Sequence, residues 1–402
     1  MPPAPDTVSV HGGTKSREST APVRPKRALV CCVPVAPWMD SGERDIAMTR
    51  FSLSRTAAIT AFALAPALVS AQEKDSFKLA WSIYVGWMPW GYIEDSGIMD
   101  KWADKYGIDV EIVQINDYIE SINQYTAGAF DGVSATNMDT LSIPSGGGVD
   151  TTALIVGDYS NGNDAVILKG EGGLADLAGK PVHLVELSVS HYLLARGLDS
   201  VGLSESDLDG VINTSDADMI AAYATDDVQA VVTWNPLVSA IMEEPGANML
   251  FDSSDIPGEI IDLMVVNTET LAANPAFGKA VTGAWYEAMA IMSSDTPEGI
   301  AAREAMAAAS GTDLAGYDAQ LASTEMFYDP AAAVAFASGA ELPETMVNVT
   351  EFLFDKGILG EGAPSADFVG VAYPDGSTTG DAGNVKFRFD TTYMQMAADG
   401  AL

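Results

Sequence analysis

Three β-type runs that alternate with helix-type segments between residues 181 and 243 decide the fold class. The runs are PVHLVE (181–186), VIN (211–213) and VQAVVT (228–233). A helix-type segment follows each run, at 190–200, 216–224 and 236–243 respectively. Strands and helices that alternate in units of this length are typical of a mostly parallel sheet with helices on both faces. The stretch therefore predicts an α/β fold.

The same alternation extends toward the N-terminus. Strands are expected at 77–85, 110–115 and 131–135, and helices at 92–106 and 117–129. After a further strand at 258–266, residues 268–358 are almost entirely helical in pattern, and 384–390 is a short strand candidate. The sequence thus predicts two lobes of α/β structure with mostly parallel sheets and a helical C-terminal part.

The simplest arrangement has the chain cross between the lobes twice, near Asp164 and near Asp262. Lobe 1 would then comprise residues 76–163 plus 265–402, and lobe 2 would comprise residues 164–264. Ligands of open α/β sheets bind at the carboxyl ends of strands. Candidate site residues are therefore sought directly after each strand.

The segment 48–71 has the pattern of a secretory signal peptide. A basic stretch after Met48 precedes an apolar run at 56–69 and the small-residue site Val69-Ser70-Ala71. We expect cleavage after Ala71 and a periplasmic, monomeric product. Residues 1–47 show no periodicity, and we interpret them as upstream of the true start or as a disordered extension.

The charge balance excludes a nucleic-acid partner. Residues 72–402 carry 12 Lys and Arg against 51 Asp and Glu, a net charge of −39, whereas phosphate backbones require basic contacts. Such an excess of acid is a device of halophilic proteins. Both cysteines, Cys31 and Cys32, precede this region, which argues against a thiolate metal site. Motifs for phosphate binding or hydrolysis are also missing, and we expect no metal or cofactor.

Six strings resemble one family of binding proteins. They are WSIYVGWMPWGY (81–92), QINDYIESINQY (114–125), TNMD (136–139), VELSVSHYLL (185–194), NTSDAD (213–218) and VTWNP (232–236). The chain resembles the periplasmic solute-binding proteins of nitrate/sulfonate/taurine-type ABC importers, and within them a subgroup assigned to urea import beside urea carboxylase. The resemblance implies a Venus-flytrap fold, no catalysis, no metal, and an ABC permease with its ATPase as partners.

The aromatic residues after the first strand are candidate ligand contacts. Trp87, Trp90 and Tyr92 are expected in or beside a loop at Gly86 and Pro89. Trp234 ends another strand and is expected to form the aromatic wall of the second lobe. Indole faces stack on flat cations, although core packing is the alternative for each of these residues.

Polar candidates also follow strands. Asp117, Asn137 and Asp139 come after the second and third strands, where helix capping is the alternative role for Asp117 and Asn137. Glu186 ends the strand at 181–186 and is expected to accept N–H bonds from the ligand, the alternative being interaction with a helix dipole. His183 is expected to pack inside its strand.

The subgroup implies urea, and its carboxylase neighbours suggest guanidine as well. Carboxylates without basic residues at the strand ends favour guanidinium, because a buried carboxylate needs a positive partner. Another small amine, amide, sulfonate or nitrate-type solute stays open, as does a ligand-sensing receptor subunit. An enzyme resembling thiamine-pyrimidine synthases is disfavoured, since it would need a His- and Cys-rich centre.

Overall fold

The computed structural model describes residues 74–360 and 362–402. The predicted signal peptide at 48–71 and the segment 1–47 lie outside the described residues. The strands are β1 (Ser76–Trp81), β2 (Asp109–Gln114), β3 (Gly132–Thr136), β4 (Thr151–Ser160), β5 (Asp164–Lys169), β6 (Val182–Leu184), β7 (Val211–Asn213), β8 (Ala230–Trp234), β9 (Ala247–Asp252), β10 (Ile261–Asn267), β11 (Thr324–Met326), β12 (Gly370–Ala372), β13 (Thr378–Thr379) and β14 (Val385–Phe389).

The α-helices fall between and after these strands. They are α1 (Met88–Asp95), α2 (Ile98–Tyr106), α3 (Tyr118–Thr126), α4 (Asn137–Thr140), α5 (Val189–Ser200), α6 (Met219–Tyr223), α7 (Leu237–Met242), α8 (Thr268–Ala273), α9 (Pro275–Met292), α10 (Pro297–Ala309), α11 (Leu314–Leu321), α12 (Pro330–Ala337), α13 (Glu341–Asp355) and α14 (Thr392–Ala398). The predicted helical C-terminal part corresponds to α8–α13.

Two sheets organise the described residues. The larger sheet has the order β13-β12-β14-β4-β10-β3-β1-β2, with β11 paired to β4. The smaller sheet has the order β7-β6-β8-β5-β9. Each is covered by helices, so the predicted two-lobed α/β architecture is confirmed. We call the part built on the larger sheet lobe 1 and the part built on the smaller sheet lobe 2.

The sheets are mixed rather than mostly parallel, so this detail of the prediction is wrong. β1, β2 and β3 are parallel to one another, but β10 is antiparallel to both β3 and β4. In lobe 2, β5 is antiparallel to β8 and β9. The cause is the double crossing. After each crossing the chain enters the new sheet from the side that faces the other lobe, so β5 and β10 run antiparallel to their neighbours.

The chain passes from lobe 1 to lobe 2 through 161–163 and returns through 253–260. β4 and β10, which end and begin at these crossings, pair along their whole length. The predicted boundary at residue 264 falls inside β10, since Ile261–Asn267 is one continuous strand of the larger sheet. The two crossings therefore form a two-strand hinge.

The first helix differs from its prediction. A 3-10 turn over Val85–Trp87 leads directly into α1, and Pro89 occupies its first turn. Proline is favoured there because its missing N–H would have no helical partner. The predicted Gly86/Pro89 loop is therefore wrong, and the helix expected at 92–106 is divided at Gly97, which has φ 74°.

Both lobes are closely packed. The main core joins apolar residues of β1, β3, β4 and β10 with α9, and Phe77 stacks on Phe277 at 4.4 Å. Pro275, Pro297 and Pro330 occupy the first turns of α9, α10 and α12. Within the described residues, the helices are too short or too polar to cross a membrane.

Candidate functional site

A small cavity of about 10 Å³ lies between the lobes. Its lining combines four aromatic rings, two carboxyl groups, one hydroxyl and one aliphatic side chain. These residues are Tyr84, Trp87, Tyr118, Thr136, Asp164, Val189, Trp234 and Asp262. Most ligand pockets measure ~300–1,000 Å³, so this cavity is far smaller than a pocket for a large solute.

The four rings form one continuous arc. Ring centroids are 5.0 Å apart between Tyr84 and Trp87, and 5.5 Å apart between Trp87 and Tyr118. Tyr118 then meets Trp234 of lobe 2 edge-on at 5.5 Å. Because the arc crosses from one lobe to the other, its full shape exists only when the lobes are closed.

Trp234 is fixed by lobe 1 although it belongs to lobe 2. Its Nε1 donates to the carbonyl oxygen of Ile83 at 3.0 Å. Next to it, the N–H of Val85 donates to the carbonyl oxygen of Asn235 at 3.2 Å. The turn after β1 therefore holds the tip of β8 in the closed arrangement.

Two buried carboxyl groups face the cavity from the crossings. Asp164 opens β5, and its Oδ2 accepts from Ser160 Oγ at 2.6 Å. Asp262 lies on β10 directly opposite Asp158 of β4. The hydroxyl of Tyr84 donates to Asp158 Oδ1 at 3.0 Å. All three aspartates are at most 2 % exposed.

Burial makes these acids difficult to ionise. Loss of hydration raises the pKa of Asp158 and of Asp164 to about 7. The pKa of Asp262 is raised well above its ordinary value by burial and by the charges of Asp158 and Asp164. Burial and the same carboxylates raise the pKa of Tyr84, so this phenol stays protonated. The site is therefore acidic and dry.

The cavity holds acid without a basic counterpart. Within the described part of the chain, the lining includes no Lys, Arg or His side chain. Asp158 Oδ2 and Asp262 Oδ2 are buried without a hydrogen-bond donor among the described residues, and Trp87 Nε1 is buried without an acceptor. Buried groups without partners are uncommon and mark positions that a ligand can satisfy.

A fourth buried acid, Asp139, connects the lobes at the rim. Its Oδ2 accepts from Tyr118 at 2.7 Å and from Thr136 Oγ1 at 2.9 Å, both in lobe 1. It also accepts the N–H of Val189, at the N-terminus of α5 in lobe 2, at 3.3 Å. Burial raises the pKa of Asp139 to about 6. We call this arrangement the Asp139 latch.

The predicted aromatic residues divide into two groups. Trp87 and Trp234 line the cavity. Trp90 lies in the core of lobe 1 and stacks on Trp285 at 4.7 Å. Tyr92 is half-buried on α1, away from the lining. The helix explains the difference, because α1 carries Trp90 and Tyr92 back over the body of lobe 1.

None of the polar residues predicted for the site lies in the cavity lining. Asp117 caps α3, accepting from Glu120 N at 2.9 Å, and receives Ser215 Oγ of lobe 2 at 3.0 Å. Asn137 is fully buried and bonds to the return crossing, at the carbonyl oxygen of Glu259 and the N–H of Ile261.

Glu186 is exposed, because β6 ends at Leu184 and the chain turns at Leu187 with φ 60°.

His191, on the first turn of α5, bonds to Glu205 at 2.8 Å outside the lining. His183, expected inside its strand, bonds through Nδ1 to Thr214 at 3.0 Å. Among the described residues, no group of three or more His, Cys, Asp or Glu is arranged to hold a metal ion.

Sequence reasoning missed Asp164 and Asp262. The search examined residues after strands, as parallel sheets require, but β5 and β10 run antiparallel and present their N-terminal ends to the cavity. The available signal was an ionisable residue inside an apolar run: TTALIVGDYS contains Asp158, and IDLMVVN contains Asp262. Tyr84, Tyr118 and Thr136 offered no comparable signal, because aromatic and hydroxyl residues are common in cores.

The profile of one protein family, described as NMT1/THI5 like, matches residues 99–299, which is half of the chain. The chain belongs to the NMT1/THI5-like family. A curated relative from Escherichia coli (strain K12), named for binding aliphatic sulfonates, is 31% identical over 128 residues. That match covers 32% of this chain and 40% of the relative, so it spans less than half of the relative's length.

Solved structures place this NMT1/THI5-like chain in a known fold. The alkanesulfonate-binding protein of Xanthomonas axonopodis pv. citri, bound to MOPS, is 17% identical with a TM-score of 0.60, covering 72% of this chain and 96% of that one. A Methylobacillus flagellatus KT protein, described as the periplasmic sulfonate-binding protein of a sulfonate ABC transporter, is 12% identical with a TM-score of 0.57, covering 82% and 96%. The expected periplasmic-binding-protein fold is thereby confirmed.

Proposed function

We propose that the protein is the periplasmic substrate-binding component of an ABC importer and that its solute is a small flat cation, guanidinium. The solute is captured between the lobes and delivered to a permease with its ATPase. The family, the fold and the named relatives support the transport role. A monomeric form and a cleaved signal at 48–71 belong to the same proposal.

The observation that carries the choice of ligand is the acidic aromatic cavity without a basic residue. A guanidinium presents N–H donors around its plane and stays charged at physiological pH, like the head group of arginine. Asp164 and Asp262 offer acceptors to its edge. The rings of Trp87 and Trp234 offer faces on which a cation binds favourably. Each feature of the lining thus matches one property of guanidinium.

The same chemistry separates this chain from relatives named for sulfonates. A sulfonate is an anion and needs donors or positive charge, as at helix N-termini. Here the N–H of Val189, at the start of α5, is already bonded to Asp139. A sulfonate in this cavity would instead meet the carboxyl groups of Asp164 and Asp262. An anion cannot replace the protons of these groups by a positive charge, and the carboxylates that form as pH rises would repel it strongly where water is excluded.

Urea is the second candidate, and Trp87 favours it. Trp87 Nε1 is a buried donor without an acceptor among the described residues. Urea has a carbonyl oxygen that could accept this bond, whereas guanidinium has only donors. The two carboxyl groups still favour the cation, since only a cation pairs with them in their ionised form, whereas a neutral ligand leaves them protonated. We therefore expect guanidinium to bind at least tenfold more tightly, by ~1.4 kcal/mol.

An uptake experiment tests the transport role. Radiolabelled guanidinium, urea and an alkanesulfonate are offered at micromolar concentration to cells with and without the gene for this chain. Guanidinium import should need the gene and should be restored by the wild-type gene but not by one encoding Asp262→Asn. A deletion that abolishes sulfonate import and leaves guanidinium import intact would contradict the proposal.

A further inference from the structure

Asp158 and Asp262 form a carboxyl pair at the hinge. They face each other across β4 and β10, the strands that end and begin at the crossings. Their side chains are within hydrogen-bonding reach of each other. Neither Asp158 Oδ2 nor Asp262 Oδ2 has a hydrogen-bond donor among the described residues. Two carboxylates in contact cannot both be ionised without a counter-ion, so the pair holds a shared proton when the cavity is empty.

Among the described residues, the groups that act on the charges of Asp158 and Asp262 include no Lys, Arg or His. Tyr84 faces it from the turn after β1, and Asp164 faces it from β5. Tyr317 of α11 and Tyr328 beyond β11 lie close enough to Asp158 for its charge to raise their pKa values. All four are phenols or acids, so none can neutralise a second carboxylate.

The pair is sealed on the side of Asp158 and open to the cavity at Asp262. A Cβ added to Gly86 would lie 2.6 Å from Asp158 Oδ2, so the backbone packs directly against that oxygen. Asp262, in contrast, lines the cavity. A ligand that enters the cavity therefore meets one end of a hydrogen-bonded pair whose other end is excluded from water.

We infer that the Asp158–Asp262 pair is a proton-binding site coupled to the ligand site, and that a cation entering the cavity releases the shared proton to solvent. This inference rests on the proposed function, because only a cationic ligand supplies the charge that replaces the proton. The ligand's positive charge compensates the second carboxylate, and the released proton passes to water or buffer. Affinity for the cation then rises with pH, since fewer protons compete for the pair.

Calorimetric titration in two buffers measures the coupling directly. Guanidinium chloride is titrated into the wild-type protein at pH 7 in phosphate and in Tris, whose ionisation enthalpies differ widely. The difference in observed heat gives the number of protons released per bound ligand. We expect close to one proton per guanidinium, and a rise in affinity of about ten- to a hundredfold between pH 6 and pH 8, because each released proton changes affinity tenfold per pH unit.

Matched variants assign the proton to this pair. In Asp158→Asn and Asp262→Asn, the amide can donate to the remaining carboxylate in place of the shared proton. The hydrogen bond between residues 158 and 262 is therefore kept. Either change should lower the number of released protons by at least half. In the control Glu186→Gln, which changes an exposed acid outside the cavity lining, the pair is intact, so the affinity and the proton count per bound ligand should both persist.

The outcomes distinguish the two proposals. Guanidinium binding with equal heats in both buffers would overturn the proton coupling and leave the proposed function standing. The same holds for a proton count that both pair variants leave unchanged. Absence of guanidinium binding to the wild-type protein would overturn the proposed ligand and, with it, the coupling.

Discussion

At the scale of single residues, the site is defined by buried acids that have no basic partner. Removing an ionised carboxylate from water costs several kcal/mol, and Asp158, Asp164 and Asp262 are all buried. Without ligand the protein avoids this cost by keeping protons on the acids. A bound cation permits ionisation, so the unfavourable burial of the empty site becomes attraction for the ligand.

Asp164 and Glu186 provide a matched test of which acids contact the ligand. Asp164 lines the cavity, whereas Glu186, which the sequence favoured, is exposed. Asp164→Asn should weaken guanidinium binding at least tenfold, ~1.4 kcal/mol, because a buried charge that pairs with the ligand is lost. Glu186→Gln should change affinity less than about twofold, on the ~0–1 kcal/mol scale of exposed charges. Titration of both variants with guanidinium checks this prediction. A larger loss of affinity in Glu186→Gln than in Asp164→Asn would contradict the assignment of the ligand site to this cavity.

The raised pKa values also predict how stability depends on pH. Asp158 and Asp164 have pKa values of about 7 in the folded protein against 3.8 as ordinary groups. The native state thus keeps protons that the unfolded chain has lost, and this contribution is lost progressively as pH rises from about 3.8 to about 7. For Asp164 the full shift corresponds to a loss on the order of 4 kcal/mol.

Thermal melts of the ligand-free protein in molar salt should therefore show a lower midpoint at pH 8 than at pH 5.5. The high salt screens the repulsion among surface acids, because this repulsion would also lower the midpoint at the higher pH. Asp164→Asn should reduce the dependence on pH by removing one titrating group. An equal midpoint at both pH values for the wild-type protein would argue against buried, protonated acids.

At the scale of elements, the hinge strands and the Asp139 latch connect ligand binding to closure. β4 and β10 carry the carboxyl pair, and α5 presents its N-terminus to Asp139 from the other lobe. An anionic group at a helix N-terminus contributes ~0.3–2 kcal/mol. Since Tyr118 contacts both the latch and the aromatic arc, closure and ligand contact share one residue.

Asp139→Asn should therefore weaken closure. The loss of charge at the N-terminus of α5 should speed guanidinium dissociation by about two- to tenfold, measured by stopped-flow tryptophan fluorescence. Asp313→Asn is the control, because Asp313 caps α11 within lobe 1 and does not bridge the lobes. Equal dissociation rates for wild type and Asp139→Asn would exclude the latch.

The elements also show what the sequence could predict. Alternating β-type and helix-type runs correctly predicted two α/β lobes, and resemblance supplied the family of folds. Strand direction could not be read from the alternation, so the N-terminal ends of β5 and β10 were not searched. The positions of Trp87 and Trp234 were expected at the ligand, whereas Asp158 was one acid among 56 Asp and Glu. Its burial depends on pairing with Asp262, more than 100 residues away.

At the scale of the whole molecule, the net charge of −36 acts on both stability and ligand approach. A strongly negative surface attracts cations and repels anions such as sulfonates. It also repels itself, and 12 basic residues in 72–402 cannot pair with 51 acids. Both effects depend on salt, because screening limits them to ~8 Å at physiological ionic strength.

Salt should consequently stabilise the protein. The melting midpoint should rise steadily from dilute buffer to molar sodium chloride, as screening weakens the repulsion among surface acids. Sodium chloride is compared with an equal osmolality of sucrose, which does not screen charge. A midpoint that is independent of salt would mean that the surface acids are already compensated in the fold.

The most direct test of the central claim is a titration of the purified protein with guanidinium, urea and methanesulfonate at one ionic strength and pH 7.5. The account predicts binding of guanidinium at least tenfold tighter than that of urea, ~1.4 kcal/mol, and no detectable binding of methanesulfonate. The acidic and aromatic lining formed by Asp164, Asp262 and the four rings favours this order. Tighter binding of methanesulfonate than of guanidinium would contradict it.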